Sequence, residues 1–407
     1  MTVEQSQPEE VDAAPVPHAR GSKGYRTITA ALFAAGLATF ISMYSAQALL
    51  PALSEGFHIS PATSALTVSV TTGLLALAIV PASVLSERYG RTRVMVISAL
   101  VACTVGVLLP LSPSIGVLLV GRAIQGLALA GVPAVAMAYL AEEVHHKDLG
   151  AAMGRYVAGT TIGGLVGRIV PSAVLDVSTW RWAMEIAAMA ALVFASIMVR
   201  TLPASQFFRP QRVHPRTVAT NLAGHLRDRR LRSLFALGFI LMGGFVSVYN
   251  FLGFRLVADP FDLPESIAGL IFVLYLAGTY SSAAAGAFSD RIGRRAVLLG
   301  SVLVTALGLA LTLPDWLPTV LVGMALFTGG FFAAHSVASG WVSRVATDHR
   351  AEASSLYLLA YYLGSSFAGA AAGIAYGMGD WPATVGFVGV LMIGALVLSI
   401  GMFRRAE

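Results

Sequence analysis

Charge is what this chain has least of. Only 12% of its 407 residues are Asp, Glu, Lys or Arg, against about a quarter in a soluble domain of ordinary composition. A chain so poor in charge cannot dress a globular surface of this size, which excludes a water-soluble fold. Cysteine is almost missing as well. Cys103 stands alone inside an apolar run, so neither an internal disulfide framework nor a cysteine metal site can form. The first 20 or so residues lack the apolar core of a secretory signal; they are acidic, polar and proline-bearing, and read as a disordered tail. Acids are also missing where they would matter most, since no Asp or Glu falls near the middle of any long apolar run.

What the chain has in quantity is hydrocarbon. It is 56% hydrophobic, with runs such as Ile97 to Leu111, Ile271 to Phe288 and Ala383 to Met402. Crossing a bilayer takes about 20 mostly apolar residues in a helix, because every backbone polar group must be satisfied within the segment. The pattern predicts an all-α polytopic membrane protein with twelve transmembrane helices, near 27–53, 62–85, 94–111, 115–140, 150–175, 182–201, 233–257, 265–287, 296–313, 317–341, 352–376 and 382–402. These divide into a tail over 1–26, a six-helix bundle over 27–201, a connecting loop over 202–232 and a second six-helix bundle over 233–407.

A formal charge of +6 does not point to nucleic acid, because the cations lie in alternate loops. One side carries Arg20, Lys23, Arg26, Arg88, Arg91, Arg93, Lys147, a dense central group, Arg291, Arg294, Arg295, Arg344, Arg350, Arg404 and Arg405; the other carries Arg181, with Arg255 near a helix end. That bias places both termini in the cytoplasm. The stretch NLAGHLRDRRLRS, within Leu202 to Arg232, reads either as a basic helix on the anionic leaflet or as a solvated linker.

The two halves repeat. LSERYGRTR begins at Leu85 and FSDRIGRR at Phe288, so that Glu87, Arg88, Gly90 and Arg91 match Asp290, Arg291, Gly293 and Arg294, each 203 positions on. LFAAG at Leu32 matches LFALG at Leu234, and AGTTIGG at Ala158 resembles LGSSFAG at Leu363. An even number of spans separates the copies, so the six-helix units are parallel repeats, which commonly enclose a site near the bilayer midplane. Gly90 and Gly293 allow the φ > 0 backbone of a short reversal. Glu87 and Asp290 are the odd members, at helix C-termini where the macrodipole is already negative. Their partner is either a local arginine, Arg88 or Arg91, or a helix N-terminus of the opposite half, which would form a gating latch.

Those charged turns resemble the G-x-L-a-D-R-x-G-R-[KR] loop of the major facilitator superfamily, with Ser83 for the leading glycine and Glu87 for the aspartate in the first copy. GRAIQG, Gly121 to Gly126, resembles the R-x-x-Q-G motif of that family's drug–proton antiporter branch, and GTTIGGLVGR, Gly159 to Arg168, resembles its helix-five antiporter motif. In the latter, Gly164 stands for the proline and Arg168 for the last glycine. The resemblance covers essentially the whole chain and is nearest to bacterial twelve-span efflux permeases of the arabinose-efflux-like kind. It implies the two-bundle fold, an inner-membrane location, and export of small organic compounds by alternating access with proton antiport. Such a chain encloses a complete pathway, so a monomer is expected.

Charged residues within spans are costly and by default face a cavity. Arg122, Arg168 and Glu185 share the outer half of the first bundle, and Arg168 with Glu185 reads as a buried pair or as separate functional groups. The resemblance implies proton coupling through Arg122 and Gln125. Glu185 and His335 are the titratable candidates, His335 being as readily a neutral core residue. Tyr44, Gln47, Arg168, Tyr249, Asn250, Tyr275, Tyr361 and Tyr362 offer the mixed wall that a cavity for amphipathic compounds needs, while Tyr280 and Tyr357 suit interfacial anchors. Gly159, Gly163 and Gly167, with Gly164 beside them, form a small-residue stripe, either the moving interface between halves or tight packing within one bundle. Two arginines without a central acid leave a second substrate class open, an anionic metabolite or sugar. An enzyme or receptor finds little support: no cofactor motif, metal cluster, catalytic spacing or phosphate loop is present.

Overall fold

The computed structural model describes residues 17–210 and 215–403. Over these the chain is helical almost throughout, with one isolated bridge, His18 to Val144, and no strand. Helix starts are set by side-chain acceptors for the bare first-turn N–H groups. Ser22 Oγ accepts from Tyr25 N at 3.1 Å, and Ser60 Oγ from Thr63 N at 3.2 Å ahead of Pro61. Asp228 Oδ1 accepts from Arg230 N and Leu231 N at 2.7 and 3.2 Å.

Spans 1 to 10 are Lys23–Gly56, Pro61–Tyr89, Arg91–Leu111, Ile115–Glu143, Leu149–Leu175, Trp180–Thr201, Arg229–Val257, Glu265–Ile292, Arg294–Leu311 and Leu317–Val345. Spans 11 and 12 lie within Arg350–Phe403, divided where Gly379 and Asp380 leave helical geometry, Asp380 at φ +50°. Several helices outrun their expected bounds: span 4 continues to Glu143 and span 7 begins at Arg229. Hydropathy marks where a helix leaves the hydrocarbon, and polar turns beyond that point remain helical. Two spans are interrupted. Span 1 is α-helical to Tyr44, passes through a 3-10 turn at Gln47–Leu49 and resumes over Leu50–Gly56. Span 8 holds a 3-10 segment, Leu270–Leu274, ahead of Tyr275–Ile292.

The repeat is visible in the packing. Gly159 of span 5 sits against the backbone of Phe33 in span 1, and its counterpart Gly364 of span 11 sits against the backbone of Phe239 in span 7. Gly163 and Gly167 continue the first contact, where an added Cβ would come within 2.7 Å of Leu37 O and 2.8 Å of Ile41 Cα. The glycine stripe of span 5 is therefore packing within the first bundle. Of the two readings of the stripe, the contacts of Gly159, Gly163 and Gly167 match packing within one bundle and not a moving interface: the missing side chains let two backbones of the first bundle touch.

The halves meet elsewhere. Span 2 faces span 11 through small residues, with an added Cβ at Gly73 lying 2.6 Å from Ser366 Oγ and one at Gly373 lying 2.7 Å from Ala62 Cα. Ser365 Oγ lies 3.3 Å from Thr72 Oγ1 in the same seam. At the end away from the charged elbows, span 5 meets the start of span 8, where Gly269 abuts Ser172 and Asp176 Oδ1 accepts from Ser266 N at 3.1 Å. At the elbow end the halves part. A cavity of about 400 Å³ opens there between Ser83 and Glu87 of span 2 and His349 and Glu352 at the head of span 11.

The loop between the bundles splits in two. Leu202 to Pro210 lies on the first bundle: Pro203 O accepts from Tyr139 Oη at 2.9 Å and from Thr92 Oγ1 at 3.2 Å, and Glu143 Oε1 accepts from Gln206 N at 2.7 Å. The helix Pro215–Arg227 lies over the mouth of the cleft, its Asn221 Nδ2 donating to Glu352 Oε1 at 3.2 Å.

Candidate translocation site

The break in span 1 creates the polar centre of the first bundle. A helix that stops inside a membrane protein leaves its last carbonyls without partners. Arg122, fully buried, supplies them: Nη1 donates to Ser42 O at 2.9 Å and Nη2 to Met43 O at 2.7 Å, while Nε donates to Thr67 O of span 2 at 3.1 Å. Nη1 also donates to Gln125 Oε1 at 2.5 Å, and Gln125 Nε2 donates on to Ala102 O at 3.1 Å. Arg122 and Gln125 thus lie together as their motif implies, but the guanidinium is spent on backbone carbonyls and no carboxylate faces it among the described residues.

Arg168 occupies the boundary between the halves. Its Nε donates to Gln47 Oε1 and its Nη1 to Gly164 O, both at 2.7 Å. The guanidinium carbon lies 3.8 Å from the Tyr44 ring centre, 4.6 Å from Tyr275 and 5.2 Å from Phe272, the last two belonging to span 8. Gly164 leaves room for this hydrogen bond, since a Cβ there would press on Arg168 Nη1 at 3.1 Å. The pairing with Glu185 does not form. Glu185 is half-buried and makes no hydrogen bond or ion pair among the described residues. Equal depth on two helices does not make their side chains face each other.

Gln47 then passes the contact across. Its Nε2 donates to Asn250 Oδ1 at 2.8 Å, and the two residues are 203 positions apart, the separation of the elbow repeats. A pair of amides therefore joins the two halves. Asn250 Nδ2 is buried and makes no hydrogen bond.

The second bundle answers this polar centre with rings. Phe245 of span 7 stacks on Phe331 at 3.9 Å between ring centres, with Tyr249 at 4.9 Å and Tyr275 at 5.3 Å. Tyr249 Oη lies 2.7 Å from Thr328 Oγ1. Further along, His335 Nδ1 lies 2.9 Å from Tyr357 Oη, and the imidazole packs 4.6 Å from Tyr361, which meets Tyr362 edge-on. Tyr357, expected at the interface, is buried at 2% exposure beside His335, while Tyr280 is 80% exposed about midway along span 8. Tyr44, Gln47, Arg168, Tyr249, Asn250 and Tyr275 thus converge, and His335, Tyr361 and Tyr362 form a second group towards the elbow end. Phe272, Phe331 and Phe332 were not singled out from sequence; phenylalanine in an apolar span carries no signal that separates a cavity wall from lipid contact.

The elbows are unequal. Arg91 Nη2 donates to Glu87 Oε1 at 2.7 Å and to Glu142 Oε1 at 2.8 Å, and Nη1 donates to Ser86 Oγ at 2.6 Å. Glu87 is thus held by the local arginine. Gly90 takes φ +100° and Gly293 φ +86°, so both turns use glycine as expected. Asp290, Arg291 and Gly293 are exposed, with Arg294 half-buried, while Arg88 is exposed over the Tyr89 ring. Neither acid reaches a helix N-terminus of the opposite half. Among the described residues the one such contact is Asp176 on Ser266 N, at the other end, because the halves are closed there and open at the elbows.

Two parallel six-helix bundles around a central polar and aromatic seam, closed at one end only, define a helical membrane transporter. The chain belongs to the Major Facilitator Superfamily, whose model matches residues 32–278 and 234–407. It is 40% identical over 388 residues to the MFS-type transporter YybF of Bacillus subtilis (strain 168), covering 95% of this chain and 96% of that one. It is 41% identical over 386 residues to the inner membrane transport protein YnfM of Escherichia coli (strain K12), covering 95% and 93%. Its fold matches the nucleoside transporter NupG at a TM-score of 0.76 and 15% identity, over 93% of this chain and all of that one. As a member of a family of transporters, the protein is a multi-pass membrane transporter and not an enzyme.

Proposed function

We propose that this protein exports small organic compounds bearing an anionic group and an apolar or aromatic body, by alternating access across the bacterial inner membrane. The observation that carries the reading is Arg168: a buried guanidinium at the boundary of the halves, held by an amide, a carbonyl and three rings, with no carboxylate beside it. A buried charge without a counter-ion is costly, and a bound anion supplies the missing partner. Phe245, Tyr249 and Tyr275 supply the apolar side of the same site. The elbow end, rich in Arg and Lys, faces the cytoplasm in this reading, so the open cleft admits substrate from within. Gly90, Gly293 and their flanking charges act at the gate on that side.

The energetics fit outward movement of an anion. An inside-negative potential favours anion exit by about 2.3 kcal/mol per charge per 100 mV, so export needs no titrating carboxylate within the spans. Proton antiport of amphipathic drugs is the second reading. It is favoured by the His335–Tyr357 pair, a group able to exchange a proton within the aromatic wall.

Proteoliposome assays decide. With aromatic carboxylates as substrates, Arg168→Gln is expected to lower the transport rate at least about tenfold, the effect of about 1.4 kcal/mol, with Arg168→Lys intermediate. A pH-sensitive dye should stay silent under a clamped potential. Transport of lipophilic cations with proton release, abolished by His335→Gln and indifferent to Arg168→Gln, overturns the anion reading in favour of antiport.

A further inference from the structure

The elbow end of the second bundle carries a feature that transport does not use. Two adjoining cavities open there, of about 550 and 670 Å³. Arg229 and Arg230 at the head of span 7 and Trp341 of span 10 line both; Arg295 of span 9 lines the first and Arg344 of span 10 the second. The floor is apolar, formed by Leu234, Val345 and Leu398. Asp228, the acid at the rim, already accepts from Arg230 N and Leu231 N as a helix cap. On its lateral side the first cavity ends at Val397, 63% exposed, in one stripe with Ile393 and Ile400 at 62% and 45%. That stripe is the face span 12 turns to lipid.

The repeat gives a control for what belongs in this place. Arg295 and Thr92 are equivalent, each the second residue after its elbow glycine. In the first bundle the place is filled by the chain itself: Thr92 donates to Pro203 O, Tyr139 donates to the same oxygen, and Glu143 collects the N–H groups of Gln206 and Phe207. The second bundle has no such strap among the described residues. There the threonine becomes an arginine, and three more arginines line the two adjoining cavities.

We propose that this arginine-rimmed cavity binds the headgroup of an anionic phospholipid, with an acyl chain along Val397 and Ile393. The phosphate takes charge-assisted hydrogen bonds from Arg229, Arg230 and Arg344, and Trp341 stands at the depth where indoles favour the membrane interface. The apolar floor and its continuation into the lipid-facing stripe select a lipid over a free anion, which would leave both uncovered.

The test is native mass spectrometry of the full chain in mild detergent, titrated with phosphatidylglycerol, phosphatidylcholine of the same chains, and glycerol 3-phosphate. Each arginine near a membrane surface favours an anionic lipid noticeably, so phosphatidylglycerol should be retained at least about tenfold more tightly than phosphatidylcholine. In Arg229→Gln/Arg230→Gln/Arg344→Gln the two lipids should become nearly equal, while melting in lipid-free detergent stays at the wild-type temperature. Should that triple variant not fold, Arg344→Gln alone, exposed at the end of span 10, should lose part of the preference. Equal retention of both lipids by the wild type overturns the proposal, as does a preference untouched by these substitutions. Displacement of phosphatidylglycerol by equimolar glycerol 3-phosphate also overturns it, reassigning the site to a free anion.

Discussion

The two bundles share a fold and divide the labour of the interior. The first is wired: Arg122 ties span 4 to the broken end of span 1 and to span 2, Gln125 reaches Ala102 in span 3, and Arg168 ties span 5 to Gln47. The second is upholstered: Phe245, Tyr249, Tyr275, Phe331 and His335 touch mostly ring to ring. Hydrogen bonds to charge fix directions, whereas stacked rings slide at little cost. One repeat has thus become a frame and the other an adaptable wall, and the proposed ligand site lies where they meet.

The sharpest way to break that contrast is Arg122→Ala. It strands the carbonyl of Met43 and takes the closest donor from that of Ser42, at about 1–3 kcal/mol for a carbonyl left bare, and it opens a void, while Thr67 O keeps Thr71 Oγ1. The expected result is a loss of several kcal/mol, read as a collapse of the melting temperature and of folded yield; Arg122→Lys should recover only part, for want of a planar fork. A comparable truncation on the soft side, Phe331→Leu, should cost about 1–3 kcal/mol, since neighbouring rings can close over the gap. Near-equal losses for the two would erase the distinction between frame and wall.

Asp176→Asn tests the closed end. A neutral acceptor on Ser266 N weakens the contact by about 1 kcal/mol or less, judged from helix caps, so labelling of a cysteine placed at Ser172 should rise a few-fold; Cys103, buried at 2% exposure, adds little background. The smallest contrast concerns the elbows. Glu87→Gln loses a partly buried ion pair and should cost about 0.2–1 kcal/mol in thermal stability, whereas Asp290→Asn, exposed, should leave it unchanged. The reverse order would mean that Asp290 is engaged in the resting state.

Much of this architecture was legible in the sequence. Twelve spans follow from the length of the apolar runs, and the duplicated elbow fixes the parallel repeat without any coordinates. The site was legible as a set and not as a set of pairs. Tyr44, Gln47, Arg168, Asn250 and Tyr275 were identifiable because polar groups inside apolar helices are expensive. Which of them touch depends on rotation about each helix axis, which depth along the chain does not specify, and the expected Arg168–Glu185 pair failed for that reason. The stripe Gly159, Gly163 and Gly167 announces a close approach without naming the neighbour, and span 1 proved to be that neighbour. The latch failed differently: which end of a transporter is shut belongs to its conformation, and one sequence serves every conformation.

Gln47 has both ends of its amide engaged, oxygen to Arg168 and nitrogen to Asn250. On the proposed reading, an anion arriving at Arg168 would compete for the guanidinium, and whatever it took from Gln47 it would take from a tie that joins the bundles. Reciprocity follows from linkage: if cargo loosens the tie, then loosening the tie must strengthen the grip on cargo by the same factor. A single side-chain amide would thereby serve, on that reading, as the relay through which occupancy and opening answer to each other.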